Sequence, residues 1–200
     1  MPTSTFDELI EAMKVGASVL DRAGIPFVLG GGLAIWARGG PRSEHDVDLV
    51  VTPDEADAAL EALARAGLRT ERPPEDWLYK AWHENGALID IIFSPAGGPL
   101  TLEAIEQAPV LEVMAMRLRV MTPEDVMTSK LLALREQEPD FHDVLELARA
   151  IREQIDWEAL RARTEGSPFA KAFFTLIEEL GIVSLNGSPP ELVDSRAEAS

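Results

Sequence analysis

The sequence predicts an α/β (α+β) fold that ends in a C-terminal helical region, and three observations predict it. Up to Met121, stretches of helical spacing alternate with short apolar runs of strand length. One of those runs, Leu88-Ile89-Asp90-Ile91-Ile92-Phe93, is apolar on both faces except for a single carboxylate. At Thr122 the character changes, and the pattern then stays helical to about Ile182.

The elements follow in order. Phe6 to Arg22 places Leu9, Ile10, Met13, Val15, Val19 and Leu20 at mostly helical spacing, and Gly24 with Pro26 ends that helix. Phe27-Val28-Leu29 reads as a buried strand. Gly30, Gly31 and Gly32 come next, then a short helix from Leu33 to Arg38 stopped by Gly39-Gly40-Pro41. Asp46 to Val51 is a second strand. Pro53 to Ala66 reads as a helix with Thr52 as its N-cap, acidic residues in its first turn and Gly67 at its end. Leu68-Arg69-Thr70 is a short strand, and Arg72 to Asp76 a loop. Trp77 to Trp82 and Ala87 to Phe93 are strands around His83-Glu84-Asn85-Gly86, because Asn-Gly between extended segments signals a hairpin. A turn at Pro95 to Pro99 precedes a helix around Leu102 to Gln107, and Val110 to Met121 holds one or two strands. Thr122-Pro123-Glu124-Asp125 has the form of a helix start, with Thr as cap and Pro at the first position. Helices are expected over 123–135, 140–152, 157–164 and 169–180. The chain thus divides into a core (1–121), a helical region packed on it (122–183) and a tail expected to be mobile (184–200).

Composition bounds the function. Apolar residues make up 46% of the 200, enough for a hydrophobic core, and no run is long enough for a transmembrane helix. The N-terminus lacks a basic stretch followed by an apolar one, so no signal peptide is expected, and the absence of cysteine fits the cytoplasmic protein that is expected. Cysteine is absent, which excludes disulfides, thiol catalysis and thiolate metal sites. The formal charge of −17 repels nucleic acid unless a local basic patch forms, and slightly favours cationic partners. No phosphate-binding loop with a Gly-Lys-Ser/Thr ending and no nucleophile elbow is present.

The chemistry lies in three aspartates. On a strand, Asp46 and Asp48 point to one side while Val47, Leu49 and Val51 point into the core. Two carboxylates side by side repel unless a cation sits between them, and a hard divalent ion such as Mg²⁺ is held by one or two carboxylates plus substrate phosphates. Asp90, set in an apolar strand, must find a cation, donors or a cleft, since burying it unpaired costs several kcal/mol. A metal shared with Asp46 and Asp48 meets that need. The Gly30–Gly32 turn between strand and helix is either an anion site or simply a tight turn. Lys130 falls within the apolar arc of Val126, Met127, Leu131 and Leu134, where it either snorkels to water or reaches a cleft and neutralises phosphate. Arg42 is a second candidate for that task, or an ordinary loop arginine. His45, His83 and His142 have no zinc-site spacing, and His45 is expected to face away from the carboxylates.

These residues resemble the nucleotidyltransferase superfamily, with its DNA polymerase beta-like fold: Leu29-Gly30-Gly31-Gly32, then Asp46-Val47-Asp48, then Ile89-Asp90-Ile91. Thr122-Pro123-Glu124-Asp125 with Lys130 and Phe141-His142-Asp143 resemble the branch of abortive-infection-type toxins, and small aminoglycoside nucleotidyltransferases share the core. The resemblance spans roughly residues 24 to 150. It implies a mixed β-sheet flanked by helices, two Mg²⁺ ions and a bound nucleoside triphosphate. Asp46 and Asp48 would hold the metals, Asp90 would share one and help activate the attacking hydroxyl, and Gly30 and Gly31 would cradle the phosphates. Many relatives carry Ser or Thr where Glu44 stands and Ser where Gly31 stands, and the segment with Glu136, Glu138 and Asp140 is unusually acidic.

Three functions follow as expectations. The first is a Mg²⁺-dependent nucleotidyltransferase of the toxin kind, acting on RNA or protein, for which a cognate antitoxin is a candidate partner. The second is an enzyme for a small cationic acceptor. The third is a catalytically silent binding module. A basic groove formed by Arg38, Arg42, Arg117, Arg119 and Lys130 would point to RNA, an acidic pocket to a small cation, and a blocked cleft to the module. None of the three involves a membrane.

Overall fold

The computed structural model of the chain describes residues 4–43, 45–137 and 139–184; Glu44, Glu138 and the expected tail beyond Ser184 lie outside them. The first helix, α1 (Phe6–Ala23), begins with a reciprocal cap in which Thr5 Oγ1 accepts from the Glu8 N–H and the Glu8 carboxylate accepts from the Thr5 N–H. Its buried side, with Leu9, Met13 and Leu20, lies on the sheet, each such side chain contributing about 1.5–3 kcal/mol by leaving water. At Gly16 the helix comes so near that an added Cβ would lie 3.1 Å from Leu49 Cδ1 and Ile89 Cδ1.

Strand β1 (Val28–Leu29) leads through Gly30 into α2 (Gly31–Trp36), and β2 (Asp46–Val50) follows. The helix begins two residues earlier than expected, so two of the three glycines lie in its first turn. A 3-10 turn over Pro53–Glu55 precedes α3 (Ala56–Arg65), and the Thr52 side chain caps nothing there, against expectation. Strands β3 (Arg69–Glu71), β4 (Leu78–Trp82) and β5 (Leu88–Ile92) complete a five-stranded sheet in the order β1-β2-β5-β4-β3. The sheet is mixed: β2 and β5 run parallel, and the other neighbours are antiparallel. The β4–β5 hairpin turns through Asn85, whose Oδ1 accepts from the Ala87 N–H, and Gly86.

Helix α4 (Leu102–Gln107) and a hairpin of β6 (Val110–Val113) and β7 (Met116–Arg119) follow, the hairpin forming its own two-stranded sheet. Then come α5 (Pro123–Ala133), α6 (His142–Ile151), α7 (Trp157–Arg163) and α8 (Pro168–Glu179). Thr122 caps α5 by accepting from the Asp125 N–H, as the sequence suggested. Central in this region, α5 packs against α2, α6, α7 and α8, so it buries residues on more than one side. The Arg38 guanidinium donates to the carbonyls of Val120 and Met121 within the core, and Gln154 Nε2, from the helical region, donates to the Arg38 carbonyl and ties the two regions together. One continuous apolar cluster runs from Leu9 through Ile89 and Leu131 to Phe173. Among the described residues no helix is long and apolar enough to cross a membrane.

Candidate active site

Strand alternation divides the sheet into two faces. Val47, Leu49, Ile89, Ile91 and Ala81 are buried in the core. The even-numbered neighbours Asp46, Asp48, Val50, Asp90 and Ile92 look the other way and floor a cleft. Parallel pairing of β2 with β5 sets Asp48 directly opposite Asp90 and Asp46 opposite Leu88. Each of the three aspartates offers a carboxylate oxygen within 4.8 Å of the others.

Such crowding has an electrostatic cost. Burial, with the charges of Asp46 and Asp90, pushes the Asp48 carboxyl up to about 8. Burial likewise raises Asp90 to about 6, although Lys80 pulls it down. Asp46 is raised by burial, against the pull of Lys130, His45 and Lys80. The set is short of positive charge and offers only hard oxygen donors at mutual distances one small cation can span. It therefore fits a divalent ion of the Mg²⁺ type.

Lys80 is a site residue that the sequence reading missed. It stands opposite Asp90 across the β4–β5 pair, and its Nζ lies 3.5 Å from Asp90 Oδ1. The Asn-Gly turn carried the signal, since counting outward from it pairs residue 80 with residue 90.

The opposite wall comes from the C-terminal helices. Lys130 on α5 faces the carboxylates and makes an ion pair of 3.6 Å with Asp143 on α6. His142, Asp143 and Glu146 of α6 line the same space, as does Trp77 just before β4. The cleft is open and holds about 960 Å³, room for a triphosphate and a small second molecule.

Other expected residues fall differently. The Gly30 N–H donates to the Asp48 carbonyl (2.9 Å), so it is not available to a phosphate; the glycines lining the cleft are Gly31 and Gly32. Arg42 also lines the cleft, with its guanidinium 5.0 Å from the centre of the Phe6 ring. His45 does not face away as expected. It precedes the first residue of β2, where strand alternation does not apply, and it is exposed at the cleft. The five basic residues do not gather into one groove. Arg38 is engaged with carbonyls, Arg119 donates to the Glu106 and Ala108 carbonyls, and of the five only Arg42 and Lys130 line the cleft.

Comparison with known proteins agrees with this architecture. The family model Aminoglycoside-2''-adenylyltransferase matches residues 12–97, which include all three aspartates. No curated protein matches the chain in sequence. The crystal structure of ANT(2")-Ia in complex with adenylyl-2"-tobramycin is similar, with a TM-score of 0.60 and 17% identity over 82% of this chain and 98% of that one. An antigenic nucleotidyltransferase-like protein from Paracoccidioides brasiliensis is similar too, with a TM-score of 0.59 and 17% identity over 88% of this chain and 90% of that one. The chain has the fold of the nucleotidyltransferase superfamily.

Proposed function

We propose that this protein transfers a nucleotidyl group from a nucleoside triphosphate to a hydroxyl of a small, amine-bearing acceptor, with divalent cations held by Asp46, Asp48 and Asp90. One observation carries the reading: the three carboxylates of β2 and β5 converge on the floor of an open cleft whose far wall presents Asp143 and Glu146.

A bound divalent ion would neutralise the triphosphate and the charge that develops as the phosphate bond breaks. Lys130, and Arg42 at the mouth, add positive charge beside the phosphates. In the reaction the acceptor oxygen bonds to the α-phosphorus, the bond from that phosphorus to the bridging oxygen breaks, and pyrophosphate leaves. The hydroxyl proton needs an acceptor, and Asp90, whose carboxylate lies on the cleft floor beside Asp48, is placed to take it. Asp143 and Glu146, on the cleft wall, attract a protonated amine. The family name and the tobramycin adduct of the similar structure support an acceptor of this class. An RNA acceptor draws no support, because the basic residues are dispersed or engaged with carbonyls.

The test is transfer itself. The protein is incubated with α-labelled nucleoside triphosphates, Mg²⁺ and three acceptor sets: amine-bearing oligosaccharides, neutral oligosaccharides and RNA. Label on an amine-bearing acceptor with equimolar pyrophosphate, lost in Asp90→Asn, is the expected result. Label on RNA, or none on any small acceptor, contradicts it.

A further inference from the structure

Asp90 is buried, yet the cation nearest to it in sequence register belongs to the protein. Lys80 projects from the adjacent strand to the cleft face, at 3.5 Å, with its side chain 26% exposed against 9% for Asp90. Two fixed elements hold this pair: the antiparallel register of β4 with β5, and the turn at Asn85 that sets the register. Across β5 from Lys80, Asp48 faces Asp90 in the parallel ladder. The order along the cleft floor is therefore lysine, aspartate, aspartate, on three neighbouring strands.

We propose that Lys80 is the internal counter-cation of this site: it holds Asp90 in place while no divalent ion is bound and competes with that ion for the carboxylate. The proposal rests on the divalent-ion site described above and adds a positioning role for a residue that is not one of its ligands. The physical basis is simple repulsion. A cation shared by the three aspartates lies close to the Lys80 ammonium in a weakly screened setting, where like charges oppose each other strongly. The four-carbon stem allows the ammonium to withdraw towards water when the ion arrives, at the cost of the Lys80–Asp90 contact. Divalent ions then bind this chain weakly by themselves and are drawn in with the triphosphate, whose charge offsets the repulsion.

The experiment titrates Mn²⁺ alone into metal-free protein by calorimetry, comparing wild type, Lys80→Met, Lys80→Gln and Lys80→Arg. Removal of the charge should tighten Mn²⁺ binding about fivefold, while Lys80→Arg stays near the wild-type value. The metal-free melting temperature of Lys80→Met should drop below wild type, and Mn²⁺ should close the gap. A purely structural lysine would lower the melting temperature without tightening the metal. Unchanged or weaker Mn²⁺ binding in both uncharged variants, with wild type still binding, overturns the role of Lys80 alone. No Mn²⁺ binding in any form, or binding that survives Asp46→Asn with Asp48→Asn, overturns the metal site and this proposal together.

Discussion

Gly31 and Asp48 approach so closely that a Cβ on Gly31 would lie 1.5 Å from Asp48 Oδ2. Gly31 also has φ of 53°, a conformation that costs other residues about 1 kcal/mol or more. The carboxylate therefore occupies the space a side chain would take. Gly31→Ala should force Asp48 out of line with Asp90, abolish Mg²⁺-dependent ligand binding and lower stability by about 1–3 kcal/mol. Calorimetry and thermal melting check both parts; wild-type Mg²⁺ binding in Gly31→Ala would show that Asp48 moves freely.

The three carboxylates should make the metal-free protein sensitive to pH in a specific direction. Asp48 rises from a usual 3.8 to about 8 in the folded state. A carboxyl raised in this way supports the fold fully below its unfolded pKa, and that support is lost as pH climbs through the folded value. The melting temperature of metal-free wild type should fall between about pH 4 and pH 8. Asp48→Asn should flatten that decline and melt roughly 2–6 °C higher than wild type at pH 8. Mg²⁺ should stabilise wild type most at the alkaline end and leave Asp48→Asn unmoved. Parallel pH profiles for the two proteins would count against a strained carboxylate cluster.

Glu146 lines the cleft on α6 and, unlike Asp143, forms no ion pair among the described residues, which makes it the cleaner probe of the acceptor side. Glu146→Gln should raise the KM for amine-bearing acceptors about fivefold and leave the nucleotide KM within about twofold. Steady-state kinetics in each substrate separates the two. A selective rise in the nucleotide KM would place Glu146 on the triphosphate side instead.

The β6–β7 hairpin turns through Met114 and Ala115, at φ of 49° and 64°, where neither residue is favoured. Both are exposed. Replacing them with Asn and Gly should therefore raise the melting temperature by roughly 2–4 °C without altering metal binding. A lower melting temperature would mean that the Met114 side chain contributes more than the turn strain removes.

Much of this arrangement was legible in the chain because it is local. Alternation along β2 placed Asp46 and Asp48 on one face, and the Asn85-Gly86 turn marked the hairpin. The apolar surroundings of Asp90 marked it as a candidate, and the structure places it on the cleft floor. What was not legible depends on distant packing. No local pattern says that β5 inserts between β2 and β4, which is what brings Asp90 opposite Asp48. Nor does one say that α6 sets Asp143 and Glu146, both exposed, along the cleft. The orientation of His45 was misread because strand alternation was carried one residue beyond the start of the strand at Asp46. The Met114–Ala115 turn was invisible because its residues are not those the geometry prefers.

The most direct test of the central claim is triphosphate binding, followed by thermal shift with each of the four nucleotides, with and without Mg²⁺. Wild type is compared with Asp46→Asn combined with Asp48→Asn. A rise in melting temperature that requires Mg²⁺ and vanishes in the double variant is the predicted result. No rise with any nucleotide in well-folded wild type, or a rise that the double variant keeps, would contradict a nucleotide site built on these carboxylates.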